Sequence, residues 1–149
     1  MTDQSTGTTS PTSTSSEGQA PPPTVWGAFQ ANDARAMIDF LVALGFEATA
    51  VYGDDETVHH AQLDWPEGGG VMLGSHKPDG FSVPPGGAGF YVVTADPRAV
   101  HERAVGAGAE ISRELNEPDQ GGWEFGLRDP EGNQWSFGSY RGEPRATQG

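Results

Sequence analysis

The chain has 149 residues, 34% of them hydrophobic, no cysteine, and 21 acidic against 8 basic side chains, for a net charge of −13. That length allows one ordinary domain or two small units sharing a core, and the absence of thiols excludes disulfides, cysteine nucleophiles and cysteine-ligated zinc or iron–sulfur centres. The charge balance opposes the basic footprint that phosphate backbones demand, so nucleic acid is excluded as a partner.

Residues 1–24 are dominated by Ser, Thr, Pro, Gly and Gln, with two acids, Asp3 and Glu17, and no base. Such a segment cannot bury enough apolar surface to offset its ordering entropy, so it reads as a disordered tail. It lacks the basic start and apolar run of a secretory signal. No stretch of the chain is long and apolar enough for a membrane span. The expected location is the cytoplasm, with no membrane partner.

A first unit is expected over 25–76. Residues 25–30 form a short β run. Asn32 or Asp33 then caps a helix in which Ala36, Met37, Phe40, Leu41 and Leu44 recur at helical spacing and Gly45 is the stop. Strands follow over 46–52, 57–65 and 71–75, the last two joined by the turn Pro66-Glu67-Gly68-Gly69. Residues 77–88, rich in proline and glycine, are a linker. A second unit over 89–140 repeats the order: strand 89–94, helix 96–107, strands 109–115, 123–128 and 134–140, with the turn Asp129-Pro130-Glu131-Gly132. Residues 141–149 are a C-terminal tail.

The repetition is visible residue by residue. At a shift of 63, Asp33/Asp96, Arg35/Arg98, Ala36/Ala99, Val42/Val105, Gly45/Gly108 and Glu47/Glu110 agree. At a shift of 64, Leu63/Leu127, Pro66/Pro130, Glu67/Glu131, Gly68/Gly132, Gly74/Gly138 and Ser75/Ser139 agree. These identities keep order and spacing, so the expected fold is α+β: two βαβββ modules in tandem, forming curved mixed sheets around a cavity, with helices outside.

Side chains alternate along strands. One parity collects Ala61, Leu63, Val71, Leu73, Phe125, Leu127, Trp135 and Phe137, an apolar face to lie under the helices. The other collects His60, Gln62, Met72, Glu124, Gly126, Arg128, Gln134 and Ser136, with Trp26, Ala28, Gln30, Gly89 and Tyr91 from the first strands. A mixed polar face of this kind suits a small-molecule cleft. Adjacent His59 and His60 should point to opposite faces, and His101 should face solvent from the second helix. His60 with Glu124, its counterpart, is the weak candidate for an acid–base pair; a hydrogen-bonded structural histidine is the plainer reading.

The stretch from Glu124 to Gly138, the helix from Asp33 to Phe46, and His60–Leu63 with Val71–Leu73 together resemble the vicinal oxygen chelate superfamily of glyoxalases, extradiol dioxygenases and fosfomycin- and bleomycin-resistance proteins. The resemblance spans about residues 25–140. Enzymes of that family hold a divalent ion through His and Glu at four positions, which here carry Trp26, Met72, Gly89 and Ser136. None is a usual ligand for such an ion. The resemblance therefore points to the bleomycin-resistance-like branch without metal ligands: no metal, no cofactor, and a binding protein that sequesters an antibiotic or metabolite, aromatic or cationic. It implies a homodimer. The expected ligand-binding residues are Trp26, His60, Gln62, Met72, Tyr91, Trp123, Glu124 and Ser136. A metal-independent lyase or isomerase using His60 and Glu124, or a non-catalytic interaction module, are the alternatives.

Overall fold

The computed structural model describes residues 22–80, 83–117 and 122–146. The tail expected over 1–24 and the end of that over 141–149 lie largely outside the described residues. The elements run β1 (Gly27–Ala31), α1 (Ala34–Leu44), β2 (Glu47–Gly53), β3 (Val58–Asp64), β4 (Gly70–Ser75), β5 (Gly89–Val93), α2 (Pro97–Gly106), β6 (Glu110–Asn116), β7 (Glu124–Arg128) and β8 (Gln134–Gly138). This is α+β, two βαβββ modules. Each module has one four-stranded mixed sheet, ordered β1-β4-β3-β2 and β5-β8-β7-β6. The first strand of each pairs parallel with the last, and the other pairings are antiparallel. β1 starts at Gly27 rather than Val25 because its partner β4 begins only at Gly70, leaving Val25 without a strand beside it and 86% exposed.

Local signals set the helix ends. The Asp33 carboxylate accepts from Ala36 N at 3.0 Å, and Asp96 does the same for Ala99 N at 3.1 Å, the side-chain caps that orphan N–H groups need. Gly45 ends α1 at φ 123°, a conformation that a side chain resists, while the N–H of Phe46 bonds Leu41 O. On α1, Met37, Ile38, Leu41 and Leu44 are buried.

All eight residues of the expected apolar face, from Ala61 to Phe137, are buried. They join one core drawn from both modules. Aromatic rings bridge the halves: Phe29 lies 5.0 Å from Phe90 and 6.1 Å from Trp135, and Phe46 lies 5.7 Å from Trp135. The Trp65 indole N–H crosses to Val93 O at 2.9 Å.

The repeated turn glutamates join the modules a second way. Glu131 accepts from Asn32 N at 2.6 Å and Asp33 N at 2.8 Å, at the entry to α1. Reciprocally, Glu67 accepts from the Thr94 hydroxyl at 2.7 Å and Ala95 N at 2.8 Å, at the entry to α2. Each module's hairpin turn therefore braces the strand-to-helix junction of the other.

Candidate functional site

The polar faces of the two sheets present matching rows. In the first, Ala28 on β1 faces Met72 on β4, and Met72 faces Gln62 on β3. In the second, Tyr91 on β5 faces Ser136 on β8, and Ser136 faces Gly126 on β7. Met72, Gln62 and Ser136 are half-buried, as a face between core and solvent should be.

The rows differ in what stands over them. On the second sheet, a Cβ added to Gly138 would lie 2.6 Å from the Tyr91 hydroxyl and 3.0 Å from Glu124 Cβ. Gln134 reaches across Gly126 to the Ser112 hydroxyl at 2.8 Å. The Glu124 carboxylate is held by Arg113 at 2.7 Å. Burial first, and then the Glu124 charge, push the Tyr91 phenol above the usual tyrosine range, while a backbone hydrogen bond at Tyr140 works the other way. On this face Tyr91 and Gln134 therefore cover the two glycines, Gly138 and Gly126.

On the first sheet, the small Ala28 stands where Tyr91 stands on the second. The atoms nearest a Cβ on Gly74 are main-chain atoms of Val58 and His59. The space left over Gly74 is a cleft of about 340 Å³, lined by Ala28, Gln30, His59, His60, Met72 and Gly74 among others, with Lys77 and Val83 of the linker at its rim. Ser75 Oγ accepts from Val58 N at 2.8 Å, and Gln30 Oε1 takes both Lys77 N and His76 Nδ1 at 3.0 Å.

His59 and His60 were expected on opposite faces; both residues border this cleft, His59 with its main-chain carbonyl 3.1 Å from a Cβ built on Gly74. Pairing runs Tyr52↔His60 and then Gly53↔Val58, so β3 carries one extra residue there. Such a bulge breaks the alternation and re-aims a side chain. His101 also departs from expectation. Its side chain is only 21% exposed, with its ring centre 5.0 Å from that of Phe125 in an edge-to-face contact and Nε2 3.5 Å from Glu114, because α2 packs this flank onto β7 and β6.

Of the eight expected ligand residues, the cleft over the first sheet takes His60 and Met72. Gln62 is the cross-strand neighbour of Met72 but is not part of the lining, and its amide turns to Asp64. Trp26 lies just before β1 with its ring against Gly70. Tyr91 borders a second cleft of about 460 Å³ between the modules, along Trp65, Gly70, Phe90 and Trp135. Trp123 carries Arg98 of α2 over its ring at 4.2 Å. Glu124 and Ser136 stay on the second sheet, so His60 and Glu124 do not share a cleft. Gln30 was placed on the polar face but, like His59, Gly74, Ser75 and Lys77, was not among the expected ligand residues. The signal available for the basic ones was their clustering, since Lys77 is the only lysine of the chain and stands beside His76.

The family resemblance implies a divalent ion in the enzymes, and the donor set here does not fit one. The four corresponding positions carry Trp26, Met72, Gly89 and Ser136, and no three of the described His, Asp and Glu residues gather as a metal would need. No helix among the described residues is long and apolar enough to cross a membrane.

Residues 25–137 match the family described as Glyoxalase/Bleomycin resistance protein/Dioxygenase superfamily. No curated protein matches the sequence. Among solved structures, TioX from Micromonospora sp. ML1 superposes with a TM-score of 0.65 at 26% identity, over 78% of this chain and 97% of that one. A glyoxylase/bleomycin resistance protein/dioxygenase domain from Frankia sp. EAN1pec gives 0.60 at 18% identity, over 82% and 100%. A superfamily member from Sphaerobacter thermophilus DSM 20745 gives 0.59 at 18% identity, over 78% and 97%.

Proposed function

We propose, for a chain that belongs to the glyoxalase/bleomycin resistance protein/dioxygenase superfamily, that it is a metal-free protein that binds a small aromatic molecule over its first sheet. The observation that carries this reading is the contrast between two faces of one fold. On the second, Tyr91 and Gln134 cover Gly138 and Gly126 beside the Arg113–Glu124 pair, while the first keeps a cleft over Gly74 where Ala28 replaces the tyrosine. Met72 and Ala28 supply apolar floor and His60 a polar anchor, the mix of one apolar surface and few polar groups that such sites favour. Sequestration of an antibiotic or metabolite needs no more than this.

The lyase or isomerase reading gains no support, since its acid–base pair is divided between sheets and Glu124 already holds Arg113. Glu124 is for the same reason a poor seat for a cationic ligand. Following the family resemblance, the reading includes a cytoplasmic homodimer, in which a second copy covers the open side of the cleft. Light scattering reads that stoichiometry directly, and a monomer at working concentration removes it.

The test of binding is Ala28→Tyr. The second module already accommodates a tyrosine at this place, so the variant should fold and fill the cleft. Calorimetry with 2-naphthamide, a neutral bicyclic probe, should show binding to the native chain and its loss in the variant. Binding that survives Ala28→Tyr with unchanged affinity would place the ligand elsewhere.

A further inference from the structure

We infer that the ligand held by this cleft is an anion, an aromatic carboxylate or phenolate, rather than a cation. The inference rests on the binding reading above and adds the charge of the bound molecule. The chain carries a net charge of −13, yet among the described residues no acid lines the cleft, whose ionisable residues are His59, His60 and Lys77. The only lysine and three of the four histidines of the protein stand at or beside it, His76 being the third.

The uncharged groups point the same way. Gln30 Oε1 is saturated by Lys77 N and by the Nδ1–H of His76, which leaves the amide N–H groups of Gln30 as its free function. Ser75 Oγ already accepts from Val58 N, which leaves its O–H to donate. Lys77 forms no ion pair among the described residues. Asp54 stands close enough to His59 to feel its charge, but its Oδ1 accepts from Glu56 N and Thr57 N. The rim therefore offers hydrogen-bond donors around an apolar floor of Ala28 and Met72. A ligand that satisfies it brings acceptors and negative charge on a flat hydrophobic body. The acidic exterior then acts against random capture of anions and leaves selection to the rim.

The experiment is calorimetry of the full chain with three probes of one shape: 2-naphthoate, 2-naphthamide and 2-naphthylmethylammonium. Naphthoate should bind about tenfold more tightly than the amide, the scale of one charge-assisted hydrogen bond, and the ammonium most weakly. Lys77→Met and His60→Gln should each erase most of the naphthoate advantage and leave amide binding in place. An ammonium as tight as the carboxylate, or a naphthoate-to-amide ratio unchanged in both variants, overturns the inference. If the carboxylate and amide bind equally and Ala28→Tyr abolishes both, the anion preference falls and the binding reading stands. If none of the three binds, both fall.

Discussion

The two modules build the same hairpin turn with different side chains. In the second, Asp129 is only 5% exposed and its carboxylate takes four donors: Glu131 N, Asn133 N, Asn133 Nδ2 and the Trp135 indole N–H. Asn133 in turn accepts from Ala88 N at 2.9 Å and ties in the end of the linker. In the first module Trp65 occupies the place of Asp129. Both turns close with the same pair of main-chain bonds, Trp65 N to Gly69 O and Gly68 N to Trp65 O in the first, Asp129 N to Asn133 O and Gly132 N to Asp129 O in the second, but Trp65 sends its indole to the other module. To these shared bonds one turn adds a buried charge and its local donors, the other an aromatic ring that belongs to the shared core. A duplicated fold fixes where a turn must be, not what holds it.

The contrast breaks most sharply at Asp129. Asp129→Ala leaves four donors without their acceptor, two of them on side chains that cannot reach water, and should lower stability by about 3–5 kcal/mol. Trp65→Phe, which removes one hydrogen bond and keeps an aromatic ring, should cost about 1–2 kcal/mol. Urea unfolding of both variants measures the difference. Equal losses would mean that the local network around Asp129 contributes no more than a single bond.

The reciprocal glutamates sharpen the comparison at the next level, since here the modules use the same residue for the same task. Glu131→Ala and Glu67→Ala should each cost about 1–2 kcal/mol, reduced from the buried value because both carboxylates meet solvent. Because the two braces sit at opposite junctions and share no partner, the double variant should lose close to the sum. A double variant no worse than one single variant would show that the first break already frees the module interface.

The repeat, the element order and the core parity were legible because identities at fixed spacing and alternation along strands are local signals. Strand ends shifted by a residue or two where, as at Val25, the partner strand ran out. The braces were not legible. Glu67 and Glu131 read as turn residues, and their partners lie far off in the sequence, visible only once the halves are packed. The His59 bulge left no mark in the residue string, and one inserted position reverses the face of a side chain. The site was half legible. His60 and Met72 were placed on the face that carries the cleft, but the difference between the two faces depends on Ala28 against Tyr91, whose hydroxyl reaches over Gly138. No single-strand pattern encodes that relation. Glu124 looked free in sequence because Arg113 is brought to it only by the pairing of β6 with β7.

Tyr91→Ala should recreate on the second sheet the space that Ala28 leaves on the first. Removing a half-exposed ring should cost about 1 kcal/mol, so the chain stays folded. The new hollow is flanked by Glu124 and Arg113, not by histidines and lysine. Calorimetry should therefore detect a second, weaker site for 2-naphthamide without a preference for 2-naphthoate. A second site with the same preference would locate the source of anion selection outside His60 and Lys77.

The smallest effect belongs to the turn between β2 and β3. Asp54 there accepts from Thr57 N at 2.7 Å and Glu56 N at 2.9 Å, and these main-chain bonds, with smaller help from His59 and Arg35, hold its carboxyl below the usual range. A carboxyl lowered by folding stabilises the folded state above its unfolded pKa, and that contribution fades as pH falls through the lower folded value. The native chain should thus lose slightly more stability than Asp54→Asn on going from pH 6 to pH 3. Asp54 is exposed, so the difference is modest and read best as a small divergence of the two thermal midpoints in the acid range. Parallel curves would mean that the turn holds its shape through the Asp54 N to Thr57 O bond and the Arg35 contact to Asp54 O, with the side chain idle.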